Sequence, residues 1–221
     1  KRIDIIKYSQ FIFFRQWSNF RNYVNSKGIK IIGDIPIYVS MDSADAWSVS
    51  SILDIDAESL KPNYVAGVPP DYFSPTGQLW GNPVYKWHKR EELNEETYQW
   101  WKKRILHTLQ FVDVIRIDHF RGFESFWQVK YGEKTAINGE WIKGPGKEFF
   151  QRLKDELKYL PLIAEDLGII TPEVKDLRDS FGFPGMKILQ FAFGSDDKNE
   201  YLPHNIDNRN CIVYTGTHDN D

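Results

Sequence analysis

The chain has 221 residues, 41% hydrophobic and 15% aromatic, enough to fill the core of one large domain or two small ones. Its formal net charge of -3 leaves no basic surplus, so neither nucleic acid nor an anionic membrane surface is an expected partner. No apolar run reaches the ~18 residues of a membrane span, no signal-peptide pattern is present, and the single Cys211 reads as a small buried hydrophobe, which together favour a cytoplasmic setting.

Residues 10–24 carry large apolar side chains at three- and four-residue intervals and predict a helix, closed by Ser26-Lys27-Gly28. Residues 29–39 read as a buried strand running into Asp34, with Pro36 confining further pairing to an edge or a turn. Asp34 is either a turn former ahead of proline or a functional carboxylate at a strand end. Across residues 40–85 no helix or strand pattern repeats and Gly, Pro, Asp and Ser are dense, as in a functional loop or a small inserted subdomain. The second half of that stretch mixes rigid turns with Asp71, Tyr72, Phe73, Gln78, Trp80 and Asn82. Rings for stacking and planar polar groups for hydroxyls make a carbohydrate contact surface, although a loop packed on its own aromatics has the same composition.

Residues 91–111 predict a helix with Trp101, Ile105, Leu106 and Leu109 on its apolar side, Lys102, Lys103 and Arg104 in solvent, and His107 in a structural role. The next strand, residues 113–118, is apolar except for Arg116 and Asp118. Two residues apart on a strand, these project from the same face as Val114. Burying such a pair is costly without a partner or a task, so it is a structural ion pair or part of a site. Residues 123–127 supply rings for the mouth of the fold, and residues 132–147 a polar, Gly-rich lid or surface loop. Helices at 149–158 and 172–181 and strands at 162–165 and 186–193 follow; a loop with Asp196, Asp197 and His204 then leads into a last strand that starts at Cys211 and runs towards His218 and Asp219.

The order is βα repeated, with strands around Ile31, Val114, Ile163, Ile188 and Val213. An open doubly wound sheet shares it but normally shows a Gly-rich phosphate turn, which is absent here. Carboxylates at the ends of several strands favour an α/β fold of the (β/α)8 TIM barrel type. Five strands do not close a barrel, so the expectation is an incomplete barrel fragment over residues 1–221, lacking roughly two strands before Lys1 and one after Asp221, with an inserted loop subdomain at 40–85.

Inward carboxylates with no cysteine among them and no His-x-x-x-His pair point to glycoside chemistry over metal hydrolysis or acyl transfer. Arg116 supplies the positive charge that keeps a carboxylate nucleophile ionised. Glu165, partly desolvated and flanked by the charge of Asp166, has the setting of a general acid.

Five ordered blocks go further: Gly33-Asp34-Ile35-Pro36-Ile37-Tyr38-Val39, residues 67–83, Arg116-Ile117-Asp118-His119-Phe120-Arg121-Gly122, Ala164-Glu165-Asp166-Leu167-Gly168, and residues 214–221. In these the chain closely resembles the 4-α-glucanotransferase family, known as amylomaltase or disproportionating enzyme, within the α-amylase clan. The resemblance implies a retaining double displacement on α-1,4-glucans and maltooligosaccharides. Asp118 would be the nucleophile, Glu165 the acid/base, and Asp219 the residue that holds and distorts the sugar. Arg116 and His218 would contact the nucleophile and that sugar, with Asp34 in support. The loop with Asp71, Tyr72, Phe73, Gln78 and Trp80 would overhang the acceptor side and favour a sugar hydroxyl over water. Where an α-amylase carries Asn-His near the Asp34 strand this chain has Tyr38-Val39, and Arg121-Gly122 stands in place of Lys-His, so the calcium ligands are unmatched. Neither a metal nor another cofactor is expected. An α-glucan hydrolase of the same clan and a non-catalytic glycan-binding module are the alternatives.

Overall fold

The computed structural model describes residues 1–71, 74–194, 196–206 and 208–217. The elements are α1 (Arg2–Ser26), β1 (Ile32–Ile35), α2 (Ala44–Ser48), β2 (Tyr64–Val68), β3 (Gln78–Pro83), β4 (His88–Lys89), β5 (Glu92–Leu93), α3 (Glu95–Thr108), β6 (Val114–Ile117), β7 (Ser125–Lys130), β8 (Gly139–Lys143), α4 (Gly146–Leu157), β9 (Leu162–Ala164), α5 (Pro172–Ser180), β10 (Gly185–Ile188) and β11 (Cys211–Tyr214).

Among the described residues five strands pair in parallel, in two sets. β6 lies between β1 and β9, and β10 pairs with β11. The Ala164 N–H donates to the Pro184 carbonyl at 2.8 Å and so bridges β9 to the start of β10. Alternation along β6 sorts its residues: Ile115 and Ile117 are fully buried, whereas Val114 and Arg116 on the other face are half-buried. The buried isoleucines share one core cluster with Trp101 and Ile105 of α3 and with Phe149, Phe150 and Leu153 of α4. Burying a side chain of this kind contributes roughly 1.5–3 kcal/mol each, so the helix-covered face anchors the sheet and leaves the polar face for a site. The Asn94 side chain fixes the start of α3 by accepting the Glu96 N–H at 3.1 Å.

Residues 40–85 are more ordered than their composition suggests. β2 and β3 lie inside this stretch and join β7 and β8 in a four-stranded antiparallel sheet of order β3-β2-β7-β8. The pattern is weak in sequence because the strands are short and the β2–β3 register shifts between Val65 and Gly67. A Cβ on Gly67 would meet the Gln78 carbonyl oxygen at 2.3 Å, so glycine is what lets these two strands close. Residues 132–147 accordingly hold an edge strand, β8, rather than only a loop.

Other elements differ in extent. β1 stops at Ile35, ahead of Pro36, which has no N–H to extend the ladder. The strand expected at 186–193 ends at Ile188 and gives way to a 3-10 segment, Leu189–Gly194. Phe123 and Phe126 are core residues and not a rim over the mouth. The 3-10 turn Phe120–Phe123 folds its rings against Phe149 and Phe150, with centroids 5.1–5.4 Å apart. On α3, Leu106 is exposed, and Arg104 lies over the rings of Trp100 and Trp101 instead of in solvent. His107 packs edge-on against Phe111. α1 begins earlier than its apolar spacing indicates and buries none of its residues. It is tied down by Trp17, which donates to the Phe111 carbonyl, and by Arg21, which pairs with Asp113. Cys211 is half-buried because β11 pairs with β10 alone among the described strands. Among the described residues no helix is long and apolar enough to cross a membrane.

Candidate active site

Asp118 and Glu165 each directly follow their strands, β6 and β9, whose last residues Ile117 and Ala164 are in register. Backbone bonds extend the pairing: Asp118 N–H donates to the Ile35 carbonyl at 2.9 Å and Glu165 N–H to the Ile117 carbonyl at 3.0 Å. Arg116 lies opposite Asp34 in the β1–β6 register. Its Nη1 donates to both Asp34 oxygens at 2.8 and 2.9 Å, and its Nη2 meets Asp118 Oδ1 at 3.0 Å. The side chain is 12% exposed, with Nε against Met186 Sδ. Arg116 and Asp118 do share a face, and the guanidinium bridges two carboxylates across neighbouring strands.

Glu165 has a different environment. Its Oε2 accepts the His119 N–H at 2.7 Å and its Oε1 the Leu167 N–H at 2.9 Å. His119 adopts a left-handed backbone, φ 53°, at the head of the turn that follows Asp118, and this turn carries its N–H to Glu165. Burial pushes the Glu165 carboxyl up to about 7, the charge of Asp118 acts in the same direction, and Arg116 and the two N–H donors hold it down. Asp166 is not the flanking charge. Successive residues of an extended segment project to opposite sides, and Asp166 is buried against Arg178 while accepting the Met186 N–H at 2.7 Å. Asp118, 44% exposed and ion-paired, and Glu165, largely withdrawn from water, are thus two carboxyls in different environments.

A cavity of about 730 Å³ opens over this pair. Of the residues singled out in the sequence, Asp71, Gln78, Trp80, Arg116, Asp118 and Glu165 line it. Asp34 does not, and among the described residues it joins the site through Arg116. Asn82 does not either; its Nδ2 donates to the Val39 carbonyl at 2.9 Å, which ties β3 to the segment after β1. The Asp71 carboxylate accepts the Ser74 N–H at 2.8 Å within its own turn. Tyr72, Phe73, His218 and Asp219 lie outside the described residues.

The lining also includes His119, Arg121 and Trp141, none of which the sequence had assigned to the site. The His119 ring meets Trp80 edge-on at 4.8 Å, and burial, with the charge of Arg121, pushes its pKa down to about 3, so it is neutral at physiological pH. Arg121 is 8% exposed, which nothing in a lone Arg-Gly dipeptide announces. Trp141 stands in a polar stretch, and a tryptophan there is the one local signal that the stretch is more than a loop. Among the described residues no three His, Cys, Asp or Glu side chains cluster as metal ligands. What the arrangement offers chemically is a carboxyl raised towards neutrality and a second carboxyl paired with an arginine, both facing one cleft with rings and amides in its walls.

The profile of a protein family described as 4-alpha-glucanotransferase matches residues 1–221, the whole chain. The chain belongs to this family. It is 54% identical over 219 residues to a 4-alpha-glucanotransferase of Clostridium butyricum, covering 99% of this chain and 44% of the relative. It is 57% identical over 216 residues to one of Synechocystis sp., covering 97% of this chain and 42% of the relative. Among solved structures, an amylomaltase from Streptococcus agalactiae in complex with acarbose superposes with a TM-score of 0.87 at 42% identity, over 96% of this chain and 42% of that one. The chain therefore spans well under half the length of the curated relatives it matches.

Proposed function

We propose that this chain is the catalytic segment of a retaining α-1,4-glucan transferase that moves glucosyl or maltooligosaccharyl units between α-glucans. The observation that carries the reading is the division between its two carboxyls: Glu165, held near 7 by burial, is suited to protonate a glycosidic oxygen, while Asp118, paired with Arg116, is suited to attack the anomeric carbon. Attack forms an ester between Asp118 and the sugar as the leaving glucan takes the proton from Glu165. In the second half, Glu165 removes the proton of an acceptor hydroxyl, which displaces Asp118 and restores an α-bond. Asp34 serves through Arg116, and Asp71, Gln78 and Trp80 serve as walls for the glucan. Tyr72, Phe73, His218 and Asp219 are assigned to substrate on the family pattern alone, with Asp219 distorting the bound sugar. The five parallel strands are proposed as five of the eight in a closed barrel, into which residues 40–85 are inserted. No metal or other cofactor is invoked. The lone Cys211 supports a reducing compartment, and the cytoplasm is proposed.

The test assigns each carboxyl its own defect in the complete enzyme. Asp118→Ala should lose turnover by several orders of magnitude with every donor and trap no covalent sugar. Glu165→Ala, given α-glucosyl fluoride, whose leaving group needs little protonation, should accumulate a glycosyl-Asp118 visible by mass spectrometry. A sugar on another residue, or normal transfer by Asp118→Ala, would refute the assignment. On maltotriose, a ladder of longer and shorter products means transfer; glucose and maltose alone mean hydrolysis; binding without turnover means a glycan-binding module.

A further inference from the structure

Arg121 follows the nucleophile by one turn of chain and is 8% exposed, a costly place for a guanidinium unless its surroundings compensate. Two contacts do so. Its Nη1 donates to the Ile169 carbonyl at 2.5 Å, and its Cζ lies 4.1 Å from the centre of the Trp141 ring. Its Nε is buried without a partner among the described residues and is closed off from any bound molecule. The guanidinium therefore works on the walls of the cleft more than on their contents.

Trp141 is the other half of this contact. It belongs to β8, an edge strand of the antiparallel sheet, while Trp80 belongs to β3 at the opposite edge. Trp127 braces it edge-on at 5.3 Å and is itself fixed by an indole N–H donated to the Ala136 carbonyl at 2.9 Å. Held by a cation and by a second indole, Trp141 still leaves 42% of its surface exposed, and it lines the cavity that contains Asp118 and Glu165. A soluble protein gains nothing in stability from so much open indole. A rigid open ring in the wall of a polar cleft is what the apolar C–H face of a pyranose stacks on.

We propose that Trp141 is a further sugar-binding residue of the cleft, stacking on a glucosyl ring of the bound glucan, and that Arg121 is the positioning residue that holds the indole and the Ile169 main chain in place. The proposal rests on the reading of the cleft as an α-glucan site. In the complete enzyme, Trp141→Ala should raise KM for maltooligosaccharides long enough to reach the ring by about tenfold, the scale of one aromatic contact, with a smaller change in kcat. Trp141→Phe should keep most of the affinity. Arg121→Met should reproduce much of the KM increase by releasing the indole, and Arg121→Lys, which keeps charge but not the flat stacked plane, should fall between. Titration with maltoheptaose supplies a readout that a merely structural role would not move: the tryptophan fluorescence change of the parent should lose a component in Trp141→Phe. If KM is unaltered across the oligosaccharide series in Trp141→Ala while only the melting temperature falls, Trp141 is a brace and the proposal fails. Should that variant not fold, an undiminished fluorescence change in Trp141→Phe rejects the proposal equally. A parent enzyme that neither binds maltoheptaose nor turns over any α-glucan would overturn the reading of the whole cleft. An active parent with indifferent Trp141 variants overturns this inference alone.

Discussion

Replacing Glu165 by Gln separates the charge of this residue from its shape, and the outcome follows from geometry. In the native protein the carboxyl is raised from 4.5 to about 7, chiefly by burial. The native state then holds the proton more tightly than the unfolded chain does, so its stabilising contribution is complete below the unfolded value and is lost as pH rises through about 7. At about 1.4 kcal/mol for each tenfold change in proton affinity, that loss comes to roughly 3 kcal/mol. Gln cannot ionise and should not show it. It does bring a penalty that is independent of pH: the two Glu165 oxygens accept N–H groups from His119 and Leu167, and an amide offers one acceptor in place of two. A buried N–H left without a partner costs roughly 1–3 kcal/mol. Near pH 4.5 the variant should be less stable than the parent by about that amount, and by about pH 8.5 the deficit should vanish or reverse, the difference between them having changed by roughly 3 kcal/mol. Urea unfolding of both proteins at a series of pH values measures this, and the other titrating groups cancel because both proteins share them. Two stability curves that run parallel in pH would refute the reasoning, since Glu165 would then not be the buried acid described here.

Four other outcomes are expected. Arg116→Lys puts a point charge where a planar fork bridges Asp34 and Asp118, and should lower kcat by roughly 10², with Asp34→Asn and Arg116→Lys non-additive in a double-mutant cycle; additive losses would show that Asp34 acts independently. Arg178→Met leaves the Asp166 carboxylate buried without its ion pair and should cost about 3–5 kcal/mol in unfolding free energy, part of it recovered by adding Asp166→Asn. The alkaline limb of activity should stay near 7 in Arg178→Met, because the neighbouring charge that raises Glu165 is that of Asp118. Excess EDTA should leave transfer activity unchanged, given Tyr38 and Val39 at the clan's calcium-ligand positions, and a loss that calcium restores would contradict this.

The parts of this protein legible in its sequence are those fixed by short-range geometry. The two-residue repeat of a strand is enough to put Arg116 and Asp118 on one face, and apolar runs that end in carboxylates are enough to place β1, β6 and β9 side by side with their polar ends together. The same rule, carried one residue further, separates Glu165 from Asp166, although the sequence reading set Asp166 beside Glu165; that Arg178 is the partner of the buried aspartate is a matter of the fold. What tertiary structure alone decided is whatever depends on segments far apart in the chain. β2 has its partner β7 beyond α3 and β6, so no local pattern announces the sheet that carries Gln78, Trp80 and Trp141. The left-handed turn at His119 depends on the packing of Phe120 and Phe123 against α4, and that turn brings the His119 N–H onto Glu165. The proton affinity of Glu165 and the burial of Arg121 are likewise sums over neighbours drawn from different strands and loops. Burial and charge act through space, and the chain order of those neighbours does not encode their distances.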